Sequence, residues 1–131
     1  MRYLKHLVTI VLISVFTMHI GYAQNNSTKL ADKMYEEFDF SNAAKAYEKV
    51  IKKDATNLHA KQKIADCYRL LNNSQMAEIW YGQLIATEGS DPIDKFYYAQ
   101  ALRNNGKYDE AKAYYEEYSK IATQDKRSAE I

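Results

Sequence analysis

His59 and Cys67 are the residues of this chain best equipped for acid–base or nucleophilic chemistry, and their spacing works against it. A thiol becomes a nucleophile when a base stands within hydrogen-bond reach. The two residues are eight positions apart in one helical segment, a separation of about 12 Å along the axis at the standard rise. Asp66 lies seven positions from His59 and shares its face, but a metal needs several converging ligands and two are too few. Beyond the first 23 residues the glycines are Gly82, Gly89 and Gly106, too scattered to form a loop that cradles phosphate. The chain is therefore expected to be no enzyme, with no catalytic residue, no metal and no cofactor. Cys67 is the lone cysteine. Beside Tyr68 in the packing pattern, it is expected to be buried as a small apolar residue; an intermolecular disulfide is the alternative.

The elements that position these residues repeat. The signature Ala-x11-Ala-x3-Tyr occurs as Ala31, Ala43, Tyr47, again as Ala65, Ala77, Tyr81, and again as Ala99, Ala111, Tyr115, at a period of 34. Such a period marks stacked helical hairpins, each too small to bury its apolar face alone. Alanine at these places lets helix backbones approach, while Leu30, Ile64 and Tyr98, with Tyr47, Tyr81 and Tyr115, fill the space between helices. The pattern predicts an all-α chain with helices at about 27–38, 41–53, 58–71, 75–88, 92–104 and 108–123. Ser41 is the expected N-cap of the second helix, Thr56 and Asn57 offer caps for the third, and Asp91-Pro92 opens the fifth. Asn72-Asn73-Ser74 forms a hairpin turn, and Asn104-Asn105-Gly106 ends the fifth helix.

The wider unit runs Lys61-x2-Ile64-Ala65-x2-Tyr68-x8-Ala77-x3-Tyr81-x2-Leu84, with its counterparts from Ser27 to Val50 and from Lys95 to Tyr118. It resembles the tetratricopeptide repeat (TPR) family, although no unit has the family's leading Trp, and Ala55, Gly89 and Thr123 stand where its closing Pro belongs. The resemblance implies a helical-hairpin solenoid of three repeats and six helices over residues 24–124, in units of about 25–56, 57–90 and 91–124, followed by a polar tail at 125–131. In that family the first helix of each hairpin lines a concave groove for an extended peptide or a partner helix. Carried over, the groove is Asp32, Tyr35 and Glu36, then His59, Gln62, Lys63, Asp66 and Arg69, then Ile93, Phe96, Tyr97, Gln100 and Arg103. The expected partner-binding set is His59, Lys63, Asp66, Arg69, Phe96, Tyr97, Gln100 and Arg103. The clamp with which some members hold a chaperone's C-terminal carboxylate does not carry over. Its places hold Thr28, Asp32, Lys63, Ile93 and Tyr97, and Asp32 would repel the carboxylate.

Residues 1–23 differ in kind. Arg2 and Lys5 precede an apolar stretch from Leu7 to Met18, and Gly21-Tyr22-Ala23 follows. This is the pattern of a secretory signal peptide cleaved after Ala23. The apolar stretch falls short of the roughly 20 residues that span a bilayer, though a retained leader acting as a membrane tether is an alternative. No Cys lies at the cleavage point to take a lipid. Removal lowers the 18 basic side chains to 16 against 17 acidic ones, a net charge of −1. The signs are interspersed, so no basic stripe invites nucleic acid.

At the other end Tyr114 and Ile121 look hard to cover within their own hairpin. The expectation is that a second copy of the chain, a partner or further sequence covers them. The leader followed by about three repeats also resembles the N-terminus of OmpA-like outer-membrane proteins of some Gram-negative bacteria. That resemblance implies a periplasmic or outer-membrane-associated scaffold in an envelope, gliding or secretion assembly. A small-molecule or glycan binder using Tyr35, Phe96, Tyr97 and Arg103 is the remaining alternative.

Overall fold

A computed structural model describes residues 27–127. The expected leader at 1–23, its cleavage point and residues 128–131 of the tail lie outside the described residues. Among the described residues there are six helices and no strand: α1 (27–36), α2 (Phe40–Lys53), α3 (Leu58–Leu70), α4 (Ser74–Ile85), α5 (Pro92–Asn104) and α6 (Tyr108–Ile121). They form hairpins α1/α2, α3/α4 and α5/α6, with α2 packed on α3 and α4 packed on α5.

The turn inside each hairpin is the same object built from different residues. Phe38, Asn72 and Gly106, spaced by the repeat period, all take positive φ, at 62°, 55° and 80°. Their amides reach back to the carbonyls of Tyr35, Arg69 and Arg103 at 3.0 Å, and the next amides reach Met34, Tyr68 and Leu102 at 2.9 Å. This paired bonding satisfies the orphan carbonyls at the end of the first helix. It also stops α1 at residue 36 rather than 38. The residue after each turn caps the second helix. Asp39 accepts from the Asn42 amide at 3.3 Å and Asn73 from the Met76 amide at 3.1 Å, whereas Lys107 has no acceptor to offer. Asp39, not Ser41, is thus the N-cap of α2, which begins one residue earlier than expected. Asn57 caps α3. Asp91 and Asp94 form a capping box on α5, with Pro92 at its start. α4 ends at Ile85, three residues early. There the Thr87 amide turns back to the Leu84 carbonyl and its hydroxyl donates to the Gln83 carbonyl.

The repeated alanines are all buried, and Tyr47, Tyr81, Ile64, Leu84 and Leu102 are fully enclosed. Enclosing a side chain of this size contributes about 1.5–3 kcal/mol. Three expected core residues, Tyr98, Tyr115 and Leu30, are not enclosed, Tyr98 remaining half-buried beside Tyr114. Tyr115 is only half-buried, while Tyr118 is enclosed. Tyr47 is covered by His59 and Tyr81 by Tyr97, both from the following hairpin; Tyr115 has no following hairpin among the described residues. Leu30 is 64% exposed, because the helix that covers its counterparts Ile64 and Tyr98 belongs to the preceding hairpin. At the C-terminal end Tyr114 packs edge-on against Tyr98 with ring centroids 4.7 Å apart, and Ile121 remains exposed.

Candidate functional site

α1, α3 and α5 place the predicted groove residues in one row. At its start Asp32 accepts the Tyr47 hydroxyl at 2.5 Å and meets His59 Nε2 at 2.7 Å. Burial pushes the Asp32 carboxyl up, but the hydrogen bonds from Tyr47 and His59 outweigh it and hold the group below its ordinary value. The next hairpin repeats the arrangement. Asp66 accepts the Tyr81 hydroxyl at 2.7 Å and pairs with Arg69 at 3.0 Å, and Arg69 Nε also donates to the Tyr81 oxygen at 3.1 Å. Burial first, then Asp66, pushes the Tyr81 phenol far above its usual range. It stays a neutral donor.

Between these clusters the cations lie on aromatic faces. Lys63 Nζ sits 4.0 Å from the centre of the Tyr35 ring and the Arg69 guanidinium 4.3 Å from that of Tyr97, a favourable contact of about 0.5–1 kcal/mol at exposed sites. Phe96 packs edge-on against Tyr97 and Tyr115 and against Tyr118. It is half-buried, as is Ile93, whereas Glu36 is exposed. Gln62 is half-buried and takes no side-chain hydrogen bond among the described residues.

The third hairpin breaks the pattern. The position of Asp32 and Asp66 is held there by Gln100. No hydrogen bond joins it to Tyr115, the counterpart of Tyr47 and Tyr81, among the described residues. Arg103, the counterpart of Arg69, is exposed and has no ion-pair partner among them. Gln100, Arg103, Asn104, Tyr97 and Arg69 line an open cleft of ≈ 490 Å³. Arg127 reaches this region from the segment expected as a polar tail. It lies over Phe96 with its guanidinium 5.8 Å from the ring centre, donates to the Tyr97 hydroxyl at 3.5 Å, and pairs with Asp125. Asp125 also accepts the Tyr118 hydroxyl at 2.6 Å. The Arg127 contact and this bond hold its carboxyl well below the usual range.

The predicted residues are thus brought together but divide by occupation. His59, Asp66 and Arg69 hold neighbouring tyrosines or carboxylates of their own chain, whereas Gln100 and Arg103 have no side-chain hydrogen bond or ion pair among the described residues. The aspartate–tyrosine ladder is the functional arrangement that sequence reasoning missed. Its signal is present as Ala-Asp at 31–32 and 65–66, each followed fifteen residues on by the repeat tyrosine. Cys67 is fully enclosed, and burial, then Asp66, pushes its thiol up to about 12. Among the described residues no group of three or more His, Cys, Asp or Glu could hold a metal ion, and no helix is long and apolar enough to cross a membrane.

No protein-family model matches the chain, and no curated protein sequence matches it. Solved structures do. The second TPR domain of human RPAP3, in complex with an HSP70 peptide, is 23% identical with a TM-score of 0.73 over 82% of this chain and 91% of that one. The first TPR of Spaghetti (RPAP3), bound to an HSP90 peptide, is 19% identical with a TM-score of 0.72 over 82% and 85%. The Yersinia enterocolitica type III secretion chaperone SycD, in complex with a peptide of the translocator YopD, is 16% identical with a TM-score of 0.68 over 81% of each chain. The chain has the TPR fold, three stacked helical hairpins.

Proposed function

We propose that this protein is a non-catalytic interaction scaffold that holds a peptide or helix of a partner protein along α1, α3 and α5. One observation carries the reading. Asp32 is engaged by Tyr47 and His59 and Asp66 by Tyr81 and Arg69, and Gln100 leaves the same place in the third hairpin open, with Arg103 unpaired among the described residues. A groove whose two aspartates are already engaged, and whose third place offers an amide and an arginine unpaired among the described residues, suits a ligand that brings acceptors, such as a peptide backbone or a carboxylate. Aromatic faces beside arginines are what protein interfaces favour. The solved structures with the same fold hold peptides of HSP70, HSP90 and YopD, which supports a peptide or protein as the ligand class.

The leader at 1–23 supports export, and with the likeness to OmpA-like N-termini it supports a place in a periplasmic or outer-membrane-associated assembly. The intact mass of the exported protein tests this: a species that retains Met1 points to a membrane tether instead. The groove is tested by photo-crosslinking in the native envelope from position 100, with position 75 on exposed α4 surface as the control. Partner adducts are expected from position 100 alone, and Arg103→Glu is expected to abolish them. Equal adducts from both positions, or adducts that survive Arg103→Glu, would overturn the assignment of the groove.

A further inference from the structure

The repeat supplies its own template for a second binding surface. Each hairpin presents a seat to the hairpin before it. In the second hairpin the seat is Ile64, Tyr68 and Trp80, and α2 fills it, joining Tyr47, Val50 and Ile51 to the same apolar cluster. In the third, α4 lies so close that a methyl group on Gly82 would stand 3.3 Å from the Tyr98 ring. Both seated helices also bring a glutamate to the rim. Glu48 accepts the Tyr68 hydroxyl at 2.9 Å, and Glu78 accepts from Asn105 at 2.7 Å and from Lys107 at 2.6 Å.

The first hairpin has the same seat and no helix in it among the described residues. Counting back by the period from Ile64, Tyr68 and Trp80 gives Leu30, Met34 and Ala46. These residues line a cleft of ≈ 470 Å³ between α1 and α2. Leu30 is 64% exposed there, whereas Ile64 at the same place is fully enclosed. An exposed leucine in a formed cleft keeps apolar surface in contact with water that its counterpart has lost. The rim is cationic. Lys45, Lys49 and Lys53 line the cleft at intervals of four along α2, so they share a face, and none has an ion-pair partner among the described residues. Asp54, the carboxylate at the rim, already accepts from the Thr56 amide and hydroxyl.

We infer that the α1/α2 cleft is a docking site for an amphipathic helix of a partner protein whose apolar stripe is flanked by carboxylates. The helix lies on Leu30, Met34 and Ala46 as α2 and α4 lie on the seats behind it. Its acids meet Lys45, Lys49 and Lys53; the repeat places of Tyr68 and Lys107 are held here by Met34 and Asp39, so this charge pairing belongs to the first hairpin alone. This surface shares no residue with the cleft of Gln100 and Arg103, so it stands or falls separately from the groove.

The test uses the full chain and two labelled helical peptides with one Ala/Leu stripe, flanked by Glu in the first and by Lys in the second. Fluorescence anisotropy is expected to show binding of the Glu peptide and at least about tenfold weaker binding of the Lys peptide. Leu30→Ser, at an exposed position, is expected to weaken the Glu peptide by a similar factor without changing helicity. The double variant Lys45→Glu, Lys49→Glu is expected to reverse the preference, while Arg103→Glu leaves it unchanged. Equal binding of both peptides, or indifference to Leu30→Ser and to the charge reversal, would overturn the proposal. So would a dimer by light scattering that Leu30→Ser dissolves, which would make a second copy the occupant.

Discussion

Tyr81 donates its hydroxyl to Asp66 at 2.7 Å from inside the protein core, and Arg69 closes the triangle by contacting both. Removing that hydroxyl leaves a partly buried carboxylate short of a donor. Tyr81→Phe is expected to cost about 1–2 kcal/mol, read as a lower urea midpoint with an unchanged slope. Tyr115→Phe, at the same repeat position but with no hydrogen-bond partner among the described residues, is expected to cost less than about 0.5 kcal/mol. Equal losses would show that the ladder adds nothing to packing.

Phe38 carries a β-carbon into a conformation that suits glycine. Its φ is 62°, and its side chain is 79% exposed, so little packing offsets the strain. Phe38→Gly is expected to raise stability by about 1 kcal/mol, visible as a higher Tm. The exposed ring rests edge-on against Phe40 at 6.1 Å, a contact too small to reverse the sign. A lower Tm would mean that this contact outweighs the backbone.

Asp94 is 2% exposed, and burial pushes its carboxyl from 3.8 up to about 6 despite the hydrogen bond from the Asp91 amide. A raised carboxyl binds its proton more tightly in the folded state. Its contribution is therefore full below pH 3.8 and is lost as pH rises through about 6. Asp94→Asn keeps an oxygen for the Asp91 amide and removes the charge. Denaturation curves across this window are expected to depend less on pH in the variant, which should equal or exceed the wild type at pH 7. An unchanged slope would place the titration elsewhere.

Cys67 is sealed and its thiol is held protonated at neutral pH by a value pushed up to about 12. Only the thiolate attacks a disulfide reagent. Ellman's reagent is expected to label native protein no faster than the protein unfolds, and to label it at once in denaturant. Prompt native labelling would revive the intermolecular disulfide.

The period of 34 made the hairpins legible because packing repeats residue types: alanine where helices touch, tyrosine where they leave room. The turns repeat a conformation instead. Phe, Asn and Gly share the left-handed position at 38, 72 and 106, and Asp, Asn and Lys share the cap at 39, 73 and 107. No common letter marks either place, so Ser41 looked like the cap that Asp39 is. The groove was legible as a face but not as an electrical arrangement. Whether Asp66 is free or committed depends on a tyrosine from the next helix; the fifteen-residue spacing to Tyr81 is in the sequence, but only the packing of α3 on α4 turns it into a 2.7 Å hydrogen bond. The exposure of Leu30 follows from the lack of a preceding hairpin among the described residues, which its repeat-equivalent residues cannot signal.

Gln100 gives the row of first helices a direction. The backbone repeats itself from hairpin to hairpin, yet the charges do not. The carboxylate at 32 is engaged by Tyr47 and His59 and that at 66 by Tyr81 and Arg69, while the amide at 100 leaves Arg103 without an ion-pair partner among the described residues. The carboxylates of this row therefore stand at the first two hairpins and not at the third. A chain laid along it meets different groups at each end, and reversing that chain exchanges its charged groups between the engaged and the unpaired sites. One amide in place of a carboxylate thus turns a periodic surface into one that tells head from tail.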